Sequence, residues 1–254
     1  MKKTILILLA IPALLGGTLA ADEFEAVEAK LKAAMASDVR TEAEVDRDRN
    51  RRPLETLEFF GLRDDMKVVE LLPGGGWYTK LLAPVLAENG DFYVALGTGR
   101  VSENLLGQEG FDQIGVLAED AKIYRPEGSR TYVLEFDGLG VTDADIVFTF
   151  RNYHNFGPEG RAAMNAAVHD ALKPGGIYAL VDHNRRHMEP DNTENRRRMD
   201  PVLAIKEIQD AGFELVEFSD LHYRPDDELR YEVGRRTVTG NTDRWTLKFR
   251  KVER

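Results

Sequence analysis

The run "KVVELLPGGGWYTKLLAPVL", residues 67 to 86, constrains this chain more than any other. Met66 to Leu72 reads as a buried strand, glycines follow it, and an apolar helical pattern begins at Trp77. Gly74 and Gly76 permit tight backbone geometry and let a ligand approach the main chain, while the amides that open the next helix face that ligand. As a dinucleotide fingerprint the spacing Gly74-x-Gly76-x-x-Thr79 is a poor match, because it lacks the last Gly or Ala that lets helix and strand pack closely. Taken alone, the turn fits a plain strand-to-helix connection equally well.

The same alternation continues along the chain. Strands are expected over 91–96, 131–136 ("TYVLEF"), 144–150 ("ADIVFTF") and 176–182 ("GIYALVD"), with helices over 77–88, around 111–120 and over 159–172. Strands alternating with helices imply a parallel sheet covered on both faces, an α/β fold. The tail differs: a helix after Pro201 stops at Gly212, and the sixth and seventh strands, the latter over 244–251, have no strong helix between them. They should pair antiparallel. With 254 residues and 43% hydrophobic content, one large α/β domain is the simplest organisation.

The N-terminus carries Lys2 and Lys3, an apolar run from Ile5 to Leu15, and small residues ending at Ala20. This is the pattern of a signal peptide cleaved after Ala20, giving an exported, periplasmic protein. Pro12, Gly16 and Gly17 interrupt the run, which falls short of the roughly 20 apolar residues of a bilayer span, so no stable membrane insertion is expected after cleavage. Residues 21–60 read as a helical extension. Phe24, Val27, Leu31 and Met35 recur at helical spacing, and a second helix starts at Pro53 and stops at Gly61. Residues 61–254 form the main domain.

Composition closes off several functions. Lysine and arginine number 34 against 44 acids, a net charge of −10 that becomes −12 once Lys2 and Lys3 are removed. An acidic chain of this kind is unsuited to general nucleic-acid binding, which needs a basic surface. The absence of cysteine excludes disulfides, cysteine-based zinc sites and thiol catalysis.

A second segment gives the glycine turn its context. "ADIVFTFRNYHNF" is followed by a helix and then by "ALKPGGIYALVDHN". In that order and spacing, these motifs and the glycine turn resemble the class I S-adenosylmethionine-dependent methyltransferases. More narrowly, "ELLPGGGWYT", "FRNYHN" and "TDRWTLKFRK" are similar to a bacterial group of predicted methyltransferases, many of them exported. The resemblance covers about residues 42 to 252. It implies a Rossmann-like, doubly wound seven-stranded sheet in the order 3-2-1-4-5-7-6, with the last strand antiparallel. It also implies S-adenosylmethionine as cofactor and a small-molecule acceptor.

Carried over position by position, the resemblance assigns Glu70, Gly74 and Gly76 to the methionine and ribose portions of the cofactor. Leu72 stands where that motif usually has its first glycine. Asp137, just past the expected third strand, matches an acid near the adenine amino group. Arg151, Asn152 and His154 follow the fourth strand, where methyl group and acceptor meet. The second strand ends in "ALGTGR", without the acid that commonly binds both ribose hydroxyls.

His154 is the first candidate for a base, because an imidazole titrates near neutrality, and Asn152 is a candidate for positioning the acceptor. Tyr153, Asp182 and His183 stand in reserve. The competing reading is that Asn152 and His154 simply tie the loop to neighbouring backbone. Adjacent Asp182 and His183 point to opposite faces of a strand and have no third partner at suitable spacing, so no metal site is expected. The arginine runs 46–53 and 184–201 interleave acids with bases and read as solvated faces. The second could instead form a lid over an anionic or polar acceptor. A noncatalytic exported binding protein that keeps the methyltransferase fold is the alternative function, supported by Leu72, by the missing acid and by export. A nicotinamide oxidoreductase has only the glycines in its favour.

Overall fold

The computed structural model describes residues 16–252. The expected signal peptide lies outside the described residues except for its last five, which begin the first helix. In chain order the elements are α1 (Gly16–Met35), α2 (Glu42–Val45), α3 (Asp48–Arg51), α4 (Pro53–Phe60), β1 (Lys67–Leu71), α5 (Thr79–Leu86), β2 (Asp91–Ala95), α6 (Gly99–Asn104) and β3 (Gly115–Leu117). They continue with β4 (Lys122–Tyr124), β5 (Val133–Glu135), β6 (Ala144–Phe150), α7 (Pro158–Ala171), β7 (Leu172–His183), α8 (Pro201–Asp210), β8 (Phe213–Ser219) and β9 (Arg244–Lys251).

Seven strands form one sheet in the order β3-β2-β1-β6-β7-β9-β8. The strands from β3 to β7 pair in parallel, and β9 inserts antiparallel between β7 and β8. This is the strand order the resemblance implied, with the main sheet's fourth to seventh strands supplied by β6, β7, β8 and β9. Alternation along each strand feeds two cores. Val68, Ile146 and Phe148 pack with Leu31, Leu57 and Leu81 on one face, and Val69, Val147 and Leu180 with Met164, Val168 and Ile208 on the other. Each face is covered by helices, as a doubly wound sheet requires.

Local signals set the helix ends. Pro53 opens α4 and Gly61, at φ +78°, closes it. Asp200 caps α8 by accepting from the Val202 amide at 2.9 Å, and Pro201 follows at the first helical position. Thr41 and Glu44 form a reciprocal capping box at α2.

Two expectations are corrected. "TYVLEF" does not supply the sheet's third strand: its core, β5, pairs antiparallel with β4 in a separate two-stranded sheet. The third strand is the three-residue, half-buried β3 at the sheet edge, where Gly115 lies so close to the Tyr93 ring that an added Cβ would clash with it. The helix expected around 111–120 is absent. Turn residues and β3 occupy that segment, and the helix between β2 and β3 is α6.

Candidate active site

A cavity of about 510 Å³ opens at the carboxyl ends of β1 and β6, the central neighbours where the strand order reverses. Open α/β sheets bind ligands at such a switch point. Glu70, Leu72, Gly74 and Gly75 form one wall; Phe150, Arg151 and Asn152 another; Thr41, Glu44, Arg47 and Arg51 a third. The third wall comes from the N-terminal extension. Trp77 Nε1 donates to the Glu44 carbonyl at 2.9 Å, and Lys80 Nζ pairs with the Glu44 carboxylate at 2.8 Å, so the glycine turn and helix α5 hold that wall in place.

The glycines divide their roles. Gly74 has φ +59°, and a Cβ there would meet nothing within 4 Å, so it faces open space. Gly76 has φ +81°, and its Cβ would lie 2.9 Å from Leu105 and 3.1 Å from Val101. It permits close packing of α6 and does not line the cavity. Leu72 adopts φ +55° and donates its amide to the Ala95 carbonyl at 2.8 Å, which sets the mouth of the turn.

Glu70 is buried and accepts from the Thr79 hydroxyl at 2.6 Å. Burial pushes its carboxyl up to about 7, against the opposing pull of Thr79 and of the Arg51 charge. A buried carboxyl lining a cavity in this way is suited to a cationic or hydrogen-bond-donating ligand group.

His154 and Asp182 meet across the sheet edge. The His154 amide donates to Asp182 Oδ2 at 2.9 Å, and the ring Nδ1 lies 2.6 Å from Oδ1. Since a carboxylate can only accept, Nδ1 carries a proton, and in the neutral ring Nε2 is the acceptor. The pair stands beside a second cavity of about 350 Å³, lined by His154 together with Arg151 and Asn152, the two residues it shares with the first. His183, held in reserve by the sequence, is buried, and its Nδ1 lies 2.8 Å from the Thr242 hydroxyl. Burial first, then Arg244, hold its pKa well below the ordinary value, so it stays neutral.

Asn152 lines both cavities, but its amide is committed. It donates to the carbonyls of Leu72 and Phe150, each at 3.1 Å. It therefore latches the loop after β6 to the glycine turn, the tying role weighed against an acceptor-positioning one. Tyr153 is also engaged: its hydroxyl donates to Glu207 at 3.0 Å and accepts from Asn165 at 2.9 Å in the core.

Asp137 is corrected by the fold. It follows β5 in the two-stranded sheet, is exposed, and does not line the cavity. The place past the true third strand belongs to exposed Glu119 and Asp120. The end of the second strand keeps the irregularity read from the sequence. After β2 come Leu96, Gly97 and Thr98, and the side chain nearby that reaches the cavity is Arg100, a base.

The arginine run 46–53 is a solvated face only in part: Asp46, Arg47 and Arg49 are exposed, but Arg51 turns inward. Arg51 is buried, and its Cζ lies 4.2 Å from the Trp77 ring centroid. Sequence reasoning missed this because an arginine among acids carries no mark of burial; only the Trp77 that receives it hinted at a stacking partner.

No protein-family model matches the chain. A Synechocystis protein described as an uncharacterized methyltransferase is 33% identical over 134 residues, 52% of this chain and 53% of the relative. The chain thus spans about half the length of the curated relative it matches. Among solved structures, a SAM-dependent methyltransferase from Aquifex aeolicus superposes with a TM-score of 0.56 at 14% identity, covering 89% of this chain and 98% of that one. The 4+2 cyclase SpnF superposes with a TM-score of 0.55 at 12% identity, covering 91% and 95%. The sheet order, the glycine turn at its switch point and these superpositions agree: the chain has the fold of the class I S-adenosylmethionine-dependent methyltransferases.

Proposed function

We propose that this protein transfers a methyl group from S-adenosylmethionine to a small acceptor, and that it does so after export to the periplasm. The observation that carries the first part is a pair of neighbouring cavities sharing Arg151 and Asn152, one lined by a glycine turn with a buried acid and the other by an oriented histidine. The Synechocystis relative supports the same chemistry over the half of its length that matches. SpnF is a reminder that this fold also serves other reactions, so the site has to carry the argument.

Glu70 and the backbone at Gly74 and Gly75 fit the methionine end of the cofactor, since the wall there is open and acidic. The ribose end fits less well, with Thr98 and Arg100 where an acid is expected. When bound, the cofactor supplies an electrophilic methyl carbon on a sulfonium. The protein's own work is then to hold the acceptor in line, a positioning contribution of up to roughly 7–11 kcal/mol in favourable cases. His154, with its proton fixed on Nδ1 by Asp182, takes a proton at Nε2 when the acceptor is protonated.

Gly75 offers a clean probe of cofactor placement. It lines the cavity without a left-handed φ, and only the Arg100 side chain lies within 4 Å of its missing Cβ. Gly75→Leu is expected to weaken binding of S-adenosylhomocysteine by tenfold or more, read by calorimetric titration, with an unchanged melting temperature. Unchanged affinity would place the cofactor elsewhere.

Export rests on Lys2, Lys3 and the apolar run ending at Ala20. Protein recovered from its native cells should have the intact mass of a chain starting at Ala21. A chain still carrying Met1 would contradict it.

A further inference from the structure

The cleft has a third compartment. A chamber of about 230 Å³ is walled by Arg47, Arg51, Arg151 and Arg244, with Asn50 and Thr239, and no carboxylate among the described residues lines it. Arg151 lines this chamber, the cavity at the glycine turn and the cavity beside His154, so the three are neighbours around one guanidinium.

The arginines are poorly satisfied. Arg51 and Arg244 are only 6% and 5% exposed, yet neither they nor Arg151 form an ion pair with a carboxylate among the described residues. Arg244 donates to the Asn50 carbonyl at 2.7 Å, and Arg51 rests on Trp77. The Nε atoms of Arg51, Arg151 and Arg244 are buried without any hydrogen-bond partner. Glu70 acts on Arg51, and Asp182 on Arg151 and Arg244, only through space. Burial and mutual repulsion draw Arg51 down to about 9 and Arg244 down to about 10.

Gathering unpaired buried cations is costly, and a chain of net charge −10 had acids enough to neutralise them. Planar guanidinium forks match phosphate and carboxylate oxygens two at a time. We infer that this chamber binds an oxyanionic group, a phosphate or a pair of carboxylates, carried by the methyl acceptor. Only the acceptor role rests on the methyl-transfer reading; the anion site stands on the arginines alone.

Equilibrium titration of the full chain with inorganic phosphate and with malonate tests this, in chloride buffers of matched ionic strength. At least one of the two is expected to bind at sub-millimolar concentration and to raise the melting temperature, the tighter one identifying the group. Arg51→Met and, independently, Arg244→Met keep the bulk and remove the charge. Each is expected to weaken that binding about tenfold or more, while the ligand-free variants melt at or above the wild type because a buried repulsion has gone. Binding should persist with S-adenosylhomocysteine saturating.

No binding of either anion at millimolar concentration, or undiminished binding in both variants, would overturn the site. Loss of anion binding when S-adenosylhomocysteine saturates would overturn the acceptor role, because the arginines would then clamp the cofactor's own carboxylate. Anion binding without any cofactor binding would leave the site standing and sink methyl transfer. The two claims therefore fail separately.

Discussion

Replacing Glu70 by glutamine is expected to make the protein more stable in mild alkali and less able to hold its cofactor. The folded carboxyl keeps its proton up to about 7, whereas the ordinary value is 4.5, so the native state binds more protons between those limits. Stability from this group is therefore greatest below 4.5 and falls as pH rises through 7. At about pH 8 the ionised, buried carboxylate costs on the order of 3 kcal/mol, which Glu70→Gln removes while keeping an acceptor for the Thr79 hydroxyl. At about pH 4 wild type and variant should unfold alike, and the gap should open with rising pH in denaturant melts. Binding moves the other way. A charge-assisted hydrogen bond contributes about 1.5–3 kcal/mol, so affinity for S-adenosylmethionine should fall roughly ten- to a hundredfold. A variant less stable at alkaline pH would show that Glu70 is a structural acid.

His154→Ala should separate chemistry from binding. The ring is tied to Asp182 and not to the wall formed by the glycine turn, so affinity for S-adenosylhomocysteine should stay within about twofold while methyl transfer falls roughly a hundred- to ten-thousandfold. The readout is label passing from methyl-labelled S-adenosylmethionine into a small-molecule extract of the native cells. Asp182→Asn should reproduce much of the loss, since one of the two oxygens that accept from the His154 amide and from Nδ1 becomes an NH2 donor, which turned toward Nδ1 would move the ring proton to Nε2. If cofactor affinity collapses together with transfer in His154→Ala, the histidine holds the loop after β6 and performs no proton chemistry.

What the sequence made legible follows from how much of each element is buried. β1, β6 and β9 are continuous apolar or alternating runs deep in the sheet, and their ends were read to within a residue or so. The edge strand β3 has three half-buried residues and gives almost no pattern, so the more apolar "TYVLEF" took its place and carried Asp137 with it. His154 was legible from its motif. Its pairing with Asp182, 28 residues away, was not, because only the parallel register of β6 and β7 brings the two strand ends together. The arginine chamber was harder still. It collects Arg47 and Arg51 from the extension, Arg151 from the end of β6 and Arg244 from the start of β9, and a charge run looks the same in sequence whether it is solvated or buried. Asn152 stood in the expected place, but its role as a latch between two carbonyls is a matter of side-chain geometry alone.

The arginines also bear on the cofactor. A sulfonium entering a cleft with several unpaired guanidinium groups meets repulsion that its demethylated product, with a neutral sulfur, escapes. An anionic acceptor seated among the arginines would lift that repulsion, which favours acceptor binding before or together with S-adenosylmethionine. It also accounts for a glycine turn and acid that look suited to the cofactor in a cleft otherwise rich in positive charge.

The cavity at the glycine turn is expected to bind S-adenosylmethionine. Calorimetric titration of the protein with S-adenosylmethionine and S-adenosylhomocysteine, with and without phosphate, tests it most directly. Micromolar binding of both at one site is expected, with phosphate raising affinity for the sulfonium form more than for its product. No heat from either ligand at millimolar concentration, with or without phosphate, would contradict it and leave a methyltransferase fold that binds something else.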